Sequence, residues 1–183
     1  MDQMEKSRIY KIAIIGAEST GKTWLCEHLA AHYNTVWVRE YAREYFNDSD
    51  IYNYSAHDLV KIAERQLEME QEYAKMATQF LFCDTTLITL KIWAELEFEE
   101  TPRAINDGVQ NSYYDLYLIT DNSLPWVGDE LRQNKHSRDL LLEMNINEVS
   151  KTGVAFDIIT GQNHQRLSAA INILDARFKV REL

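Results

Sequence analysis

Residues 16–23 read Gly-Ala-Glu-Ser-Thr-Gly-Lys-Thr, which is the G-x-x-x-x-G-K-T spacing of a phosphate-binding loop. In such loops successive backbone N–H groups and the start of a helix hold a polyphosphate. Glycine at both ends of the motif permits backbone angles and a close approach that a Cβ would block. Lys22 is expected to reach the β- and γ-phosphates, and the Thr23 hydroxyl to ligate Mg²⁺. The predicted nucleotide-binding residues are Gly16, Ala17, Glu18, Ser19, Thr20, Gly21, Lys22, Thr23 and Trp24.

The motif lies in the surroundings that its chemistry requires. An apolar run at residues 9–15 predicts a buried strand before it, and a helical pattern follows over residues 22–33. An isolated match could be a structural glycine turn, but this order of strand, turn and helix favours phosphate binding. The sequence therefore predicts a protein that binds a nucleoside triphosphate.

Two acidic residues follow predicted strands. Asp84 ends an apolar strand at 80–84, the usual position of the carboxylate that holds Mg²⁺ in P-loop enzymes, although it could instead cap the next helix. Glu40 follows a second strand at 36–38, which we expect beside the first, and could act as general base toward a substrate hydroxyl. The alternatives are an ion pair of Glu40 with a neighbouring arginine, and Asp84 as the base. Arg43 either binds substrate or pairs with a glutamate.

Residues 122–138 lack periodicity and are interpreted as a lid. Phosphoryl transfer requires exclusion of water and positive charge near the transferring group. The basic residues of this segment are Arg132, Lys135 and Arg138. A solvated charged loop is the alternative interpretation. Trp126 either anchors the lid or offers a stacking surface for a ring.

The remaining pattern alternates strands with helices. It predicts strands at 116–119 and 154–159 and helices at 87–97, 137–149 and 164–178. A further, long helix is predicted to begin at residue 55 or 56. This alternation predicts an α/β fold, a P-loop NTPase with a five-stranded parallel sheet and helices on both faces, in one domain over residues 1–183. Ligands of such sheets bind beyond the carboxyl ends of the strands, where the polar clusters described above lie.

Composition bounds the classes of function. The chain has 183 residues, 45% of them hydrophobic and 26% charged, which is ordinary for a soluble globular domain. The formal net charge of -10 disfavours nucleic acid and anionic membrane as partners, so a small-molecule substrate is expected. No window approaches a membrane span or a signal peptide, and a cytoplasmic location is expected. Two isolated cysteines are expected in the core, and His28 and His32 as a helical pair without a metal.

Five segments together resemble the ribosylnicotinamide kinase domain of NadR-type proteins. They are the phosphate loop at 16–23, Glu-Tyr-Ala-Arg-Glu at 40–44, Cys-Asp-Thr-Thr at 83–86, Tyr-Asp-Leu-Tyr-Leu at 114–118 and Pro-Trp-Val-Gly-Asp-Glu-Leu-Arg at 125–132. The resemblance covers nearly the whole chain in the same order. It implies a nucleoside-kinase-like fold with a lid, and phosphorylation of the 5′-hydroxyl of nicotinamide riboside with ATP and Mg²⁺ as cofactors.

The motif and the resemblance together give the expected roles. The expected catalytic residues are Lys22, Glu40, Asp84 and Arg132, and the expected metal ligands are Thr23 and Asp84. The resemblance implies that Glu40, Tyr41 and Arg43 bind the acceptor, and Trp126 of the lid segment is expected to join them.

The sequence departs from the family pattern at positions that bear on the acceptor and on the activities expected of the chain. The family usually has Asp-Thr-Asp where this chain has Asp84-Thr85-Thr86, and Asp-Asp-Gly in the lid where this chain has Gly-Asp-Glu at 128–130. A lost pocket carboxylate would change the preferred acceptor. Full-length NadR-type proteins carry an adenylyltransferase motif that these residues lack, so that activity is expected to be absent. A nucleotide-dependent switch without an acceptor is the competing function.

Overall fold

The computed structural model describes residues 8–47, 51–98, 100–128 and 137–178. Its strands are β1 (Tyr10–Gly16), β2 (Trp37–Val38), β3 (Phe80–Asp84), β4 (Leu116–Thr120) and β5 (Phe156–Ile159). Its helices are α1 (Lys22–His32), α2 (Tyr41–Asn47), α3 (Ala56–Ala74), α4 (Leu87–Phe98), α5 (Arg103–Asn111), α6 (Arg138–Thr152) and α7 (Asn163–Arg177). Within the described ranges, no helix combines the length and the apolar character needed to cross a membrane.

The strands form one sheet in the order β2-β3-β1-β4-β5, and all neighbouring pairs are parallel. The predicted five-stranded parallel sheet with flanking helices is confirmed. The expectation that the second strand lies beside the first is wrong, because β3 lies between them. All five residues of β3 are buried, so this strand needs neighbours on both edges and helices on both faces. β2 has only two residues and forms the edge.

The core lies on both faces of the sheet. Ile12 and Ile14 of β1 face a cluster formed with α1 and α7, whereas Ala13 and Ile15 face a cluster formed with α4 and α6. This alternation is the period of two that a strand imposes. A third cluster is formed by residues of α2 to α5.

Two helices were missed by the sequence patterns. α2 occupies the Glu-Tyr-Ala-Arg-Glu segment and buries Ala42 and Phe46, which the polar composition of that segment obscured. α5 begins after Pro102 and buries only Ile105 fully. Gly108 in α5 lies against α4, since a Cβ there would come within 2.5 Å of Leu87 Cδ2. A nine-residue helix with one buried side chain and a glycine gives little periodic signal.

Candidate active site

The phosphate loop has the backbone that its glycines were predicted to allow. Gly16 and Gly21 have φ angles of 141° and 79°, which L side chains rarely adopt. A Cβ on Gly16 would also lie 2.5 Å from the carbonyl oxygen of Thr120, so β1 and β4 approach too closely there for any side chain. The Thr20 hydroxyl fastens the loop by donating to Ala17 O at 2.7 Å and bonding Thr120 Oγ1 at 2.6 Å.

Lys22 lies over this loop. Its ammonium donates to Gly16 O at 3.1 Å and to Ala17 O at 2.8 Å. Those carbonyls hold the charge at the concave side of the loop, where the N–H groups of the first turn of α1 also point. A triphosphate bound there would meet the cation directly. This geometry agrees with the role predicted for Lys22 from the motif.

Asp84 and Thr23 form a pair of oxygen ligands next to the loop. Thr23 Oγ1 donates to Asp84 Oδ2 at 2.5 Å, while Asp84 Oδ1 is buried without a partner among the described residues. Burial, reinforced by the charge of Glu40, raises the pKa of Asp84 to about 6, and Lys22 opposes the shift. A cation would relieve both the buried charge and the unpaired oxygen. Carboxylate and hydroxyl oxygens suit Mg²⁺, which keeps several water and phosphate ligands of its own.

The helix cap after β3 is provided by Thr86. The backbone N–H of Ile88 donates to Thr86 Oγ1 at 3.2 Å at the start of α4, so Asp84 does not need to cap this helix. Thr85 between them has a φ of 67°, a strained conformation for a β-branched residue. Thr86 is buried and is not among the residues that line the cleft described next.

A cleft of about 590 Å³ begins at the phosphate loop and continues between α2 and α4. The loop residues from Gly16 to Trp24 form one end, and Glu40 and Arg43 form part of the wall. The rest of the wall is mainly apolar and aromatic: Ala42, Ile51, Tyr52, Tyr54, Ile92, Trp93, Leu96 and Leu141, with Glu27, Thr89, Glu97 and Asn145 as polar members. This volume is typical of a small-molecule site.

Glu40 and Arg43 meet as an ion pair. Arg43 Nε donates to Glu40 Oε2 at 3.0 Å, and both side chains are partly exposed. The structural ion pair that the sequence left open therefore exists. It does not remove Glu40 from the cleft, and its charge acts on Asp84. The general-base role of Glu40 stays a prediction.

Tyr41 and Trp126 do not line the cleft. The backbone N–H of Tyr41 donates to Gln66 Oε1 at 2.9 Å, and its ring packs with the apolar clusters. Trp126 is half-buried in the segment that crosses the phosphate loop. Their predicted contacts with an acceptor stay predictions.

The described part of the predicted lid lies on the phosphate loop. The Val127 N–H donates to Ser19 Oγ at 2.8 Å, and Leu124 would lie 2.8 Å from a Cβ on Gly21. Arg138 donates to Leu124 O at 3.0 Å. Arg132 and Lys135 lie outside the described residues, so their roles are untested.

Arg166 is a residue of the site that the sequence patterns missed. It is 1% exposed, and its guanidinium donates to Asp121 Oδ1 at 2.6 Å, to Gly161 O at 3.2 Å and to the carbonyl of Thr20. It thereby ties the phosphate loop to the loops after β4 and β5. The available signal was its spacing, because Arg166 precedes the buried residues Ala170 and Leu174 by four and eight positions on α7.

A glycine-rich loop at the end of a central strand, with a buried carboxylate on the adjacent strand and a small-molecule cleft beside both, defines a P-loop nucleotide-binding protein. The family model of the AAA domain (AAA_28) matches residues 11–166, and the chain belongs to this family.

The NadR proteins are relatives of this chain. The trifunctional NAD biosynthesis/regulator protein NadR of Escherichia coli K12 is 31% identical over 145 residues, which cover 73% of this chain and 35% of that protein. A crystal structure of NadR with NAD and AMP-PNP has a TM-score of 0.79 at 20% identity, and one with NR has 0.77 at 20%. The match covers 95% of this chain in both and 51% and 52% of those chains.

A thymidylate kinase from Candida albicans shares the fold over 92% of both chains, with a TM-score of 0.66 at 14% identity. The predicted nucleoside-kinase-like P-loop fold and the resemblance to NadR-type proteins are therefore confirmed. The chain spans about half or less of the length of the NadR relatives that it matches.

Proposed function

We propose that the protein transfers a phosphoryl group from ATP to a hydroxyl of a small nucleoside, with nicotinamide riboside as the first candidate. The observation that carries this proposal is the continuity of the cleft. One cavity of about 590 Å³ begins at the phosphate loop and ends among aromatic side chains, so donor and acceptor can share it. Support comes from the NadR crystal structures, which contain AMP-PNP in one case and NR in the other.

Each side of the transfer has its own residues. Lys22 and the loop N–H groups bind the triphosphate, and Thr23 and Asp84 would hold Mg²⁺. When bound, this ion neutralises charge on the phosphates and orients them. Glu40 lies in the wall of the same cleft and accepts the proton of the attacking hydroxyl. Arg43, held by its bond to Glu40, keeps this carboxylate in place and supplies positive charge.

The aromatic end of the cleft suits a flat ring. Trp93 Nε1 donates to Tyr54 OH at 2.6 Å, and the two ring centroids are 5.5 Å apart. Such walls bind a heteroaromatic ring by contact with its faces, and a cationic pyridinium gains an additional cation–π attraction. Glu97 also lines the cleft and adds a negative charge there.

The test is ADP release by purified protein with ATP, Mg²⁺ and a panel of nucleosides, against a control without acceptor. Mass spectrometry should show nicotinamide mononucleotide when nicotinamide riboside is the acceptor. Brisk phosphorylation of a neutral nucleoside alone would reject this substrate and keep the kinase. Slow ATP hydrolysis with no phosphorylated acceptor would instead identify a nucleotide-dependent switch.

A further inference from the structure

In the described part of the chain, two oxygen atoms of the cleft-lining residues are buried without a protein partner. They are Thr89 Oγ1 on α4 and Asn145 Oδ1 on α6, and these two helices pack against each other. Buried polar atoms are nearly always hydrogen-bonded, because an unpaired one loses its water without compensation. Both residues line the same ligand-sized cleft, so a ligand bound there is the candidate partner of both atoms.

The hydrogen bond of Asn145 fixes what its free atom can accept. Its amide nitrogen donates to the carbonyl of Leu141 at 2.7 Å. Because a carbonyl only accepts, the nitrogen must face Leu141, and the oxygen must face away from it. Asn145 is 2% exposed, so its amide is held in this orientation by packing. It presents an acceptor, whereas the Thr89 hydroxyl can both donate and accept.

We propose that Thr89 and Asn145 recognise the secondary hydroxyls of the acceptor's sugar. A ligand hydroxyl donates to Asn145 Oδ1, and a ligand oxygen accepts from Thr89 Oγ1. This inference rests on the proposed function, since it concerns the acceptor half of the same cleft. It narrows the acceptor to a ribonucleoside, because a deoxy analogue would leave one of these atoms unpaired.

Thr89 and Asn145 also explain how the cleft can bind a sugar by hydrogen bonds although position 86 is not acidic. The Thr86 hydroxyl accepts the hydrogen bond of Ile88 N at the start of α4 and does not line the cleft. Thr89 lies one helical turn further along α4 and does line it. Recognition therefore uses neutral polar groups, and the preference for ribose is independent of the charge on the base.

The experiment measures kcat/KM for the ribo, 2′-deoxy and 3′-deoxy forms of one nucleoside that the protein accepts as substrate. The wild type should prefer the ribo form over at least one deoxy form by about 10- to 100-fold, the scale of one hydrogen bond whose partner is left unpaired. Asn145→Leu and Thr89→Val should each lower the value for the ribo form through KM by a similar factor. Each variant should leave nearly unchanged the KM for ATP and the kcat/KM for the deoxy form that lacks the hydroxyl it contacts, so the preference for ribose over that form disappears.

Matched controls come from the same chain. Asn147 lies exposed on α6, and Thr101 has a buried hydroxyl without a partner but does not line the cleft. Asn147→Leu and Thr101→Val should keep the ribose preference. Thr89→Ser, which retains the hydroxyl, should keep it as well. If Asn145→Leu does not fold, the comparison of Thr89→Val with Thr89→Ser decides.

An unchanged ribose preference in folded Asn145→Leu and Thr89→Val overturns the inference and leaves the kinase intact. Equal use of ribo and deoxy forms by the wild type overturns it too. If the wild type phosphorylates no nucleoside, the proposed function itself fails, which is a separate and distinguishable result.

Discussion

Two buried carboxylates at opposite ends of the sheet differ in how their charges are satisfied. Glu70 on α3 lies near the amino ends of β1 and β4, where it pairs with Lys11 and accepts from Tyr114 OH at 2.9 and 3.1 Å. Asp84 at the carboxyl end of β3 has one bond, from Thr23, and an unpaired oxygen. In both cases burial is the main cause of a raised pKa.

The difference separates a structural end of the sheet from a ligand-binding end. At the amino end every oxygen of the buried acid has a protein partner. At the carboxyl end unpaired atoms accumulate, on Asp84, Thr89 and Asn145. An unpaired buried group lowers stability, and sites that bind ligands retain such groups because the ligand completes them. Substitutions at the carboxyl end of the sheet should therefore mainly change turnover, and substitutions at the amino end should mainly change the free energy of unfolding.

The largest effect is expected on turnover at the carboxyl end. Glu40→Gln removes the proposed proton acceptor and should lower kcat by about 10²- to 10⁴-fold, the usual range for a general base. The affinity for Mg²⁺–ATP should stay nearly unchanged, because Glu40 is not a ligand of either. Initial-rate kinetics with a nucleotide titration would check this. A variant with normal kcat would transfer the base role to Asp84.

At the amino end of the sheet, a substitution should lower the stability of the fold. Lys11→Met leaves Glu70 buried without its cation and should lower the free energy of unfolding by about 3–5 kcal/mol. The kcat of the remaining folded protein should change little. Lys61→Met is the control, since Lys61 forms an exposed ion pair with Asp58, and exposed pairs contribute little to stability. Denaturant unfolding would measure both, and a loss as small as that of the control would contradict the structural role of the pair.

Lys22→Ala tests the same difference between the two ends of the sheet with a positively charged residue at the carboxyl end. Removal of its proposed contact with the β- and γ-phosphates should lower kcat by about 10²-fold or more, as for loss of one preorganised charge contact. The free energy of unfolding should fall less than it does for Lys11→Met, because the hydrogen bonds of Lys22 to described residues go to loop carbonyls and its charge offsets that of Asp84 without a direct contact. Near-normal ADP release by the folded variant would remove Lys22 from the transfer step.

The sequence predicted the parts of the site that a local pattern encodes. The phosphate loop follows from two glycines, Lys22 and Thr23 at fixed spacing, and Asp84 follows from an acid at the end of an apolar strand. The predicted and observed bounds of the helices and strands differ by at most three residues. These features depend on neighbours in the chain, which a sequence shows directly.

What the sequence did not predict depends on packing between distant elements. Thr89, Asn145 and Trp93 lie on helices, and only the contacts of α4 with α2, α3 and α6 turn their faces toward the cleft. The order of β2 and β3 in the sheet depends on which of the two strands can lie at the edge, where it has a neighbouring strand on one side only. Arg166 could have been noticed from its spacing on α7, but its partners come from three separate loops.

The last prediction uses pH to compare Asp84 with a carboxylate whose pKa is shifted the other way. The folded protein without Mg²⁺ holds the pKa of Asp84 near 6, above its ordinary value of 3.8, so the folded state binds this proton more tightly than the unfolded state. The contribution of Asp84 to the free energy of unfolding should therefore fall as pH rises from about 4 to 6, whereas the amide introduced by Asp84→Asn does not titrate, so the difference between the two proteins isolates this contribution.

Asp84→Asn should match the wild type near pH 4 and exceed it by about 1–3 kcal/mol above pH 7. Asp58→Asn should instead be less stable than the wild type by a nearly constant amount over this range, because the hydrogen bonds from Tyr45 and Ser55 lower the pKa of Asp58, so that its titration falls below pH 4. Thermal and denaturant unfolding of the ligand-free proteins between pH 4 and 8 would measure both differences. If the Asp84→Asn and wild-type curves run parallel over this range, Asp84 ionises without a penalty. The contrast between the unsatisfied and the satisfied end of the sheet would then lose its energetic basis.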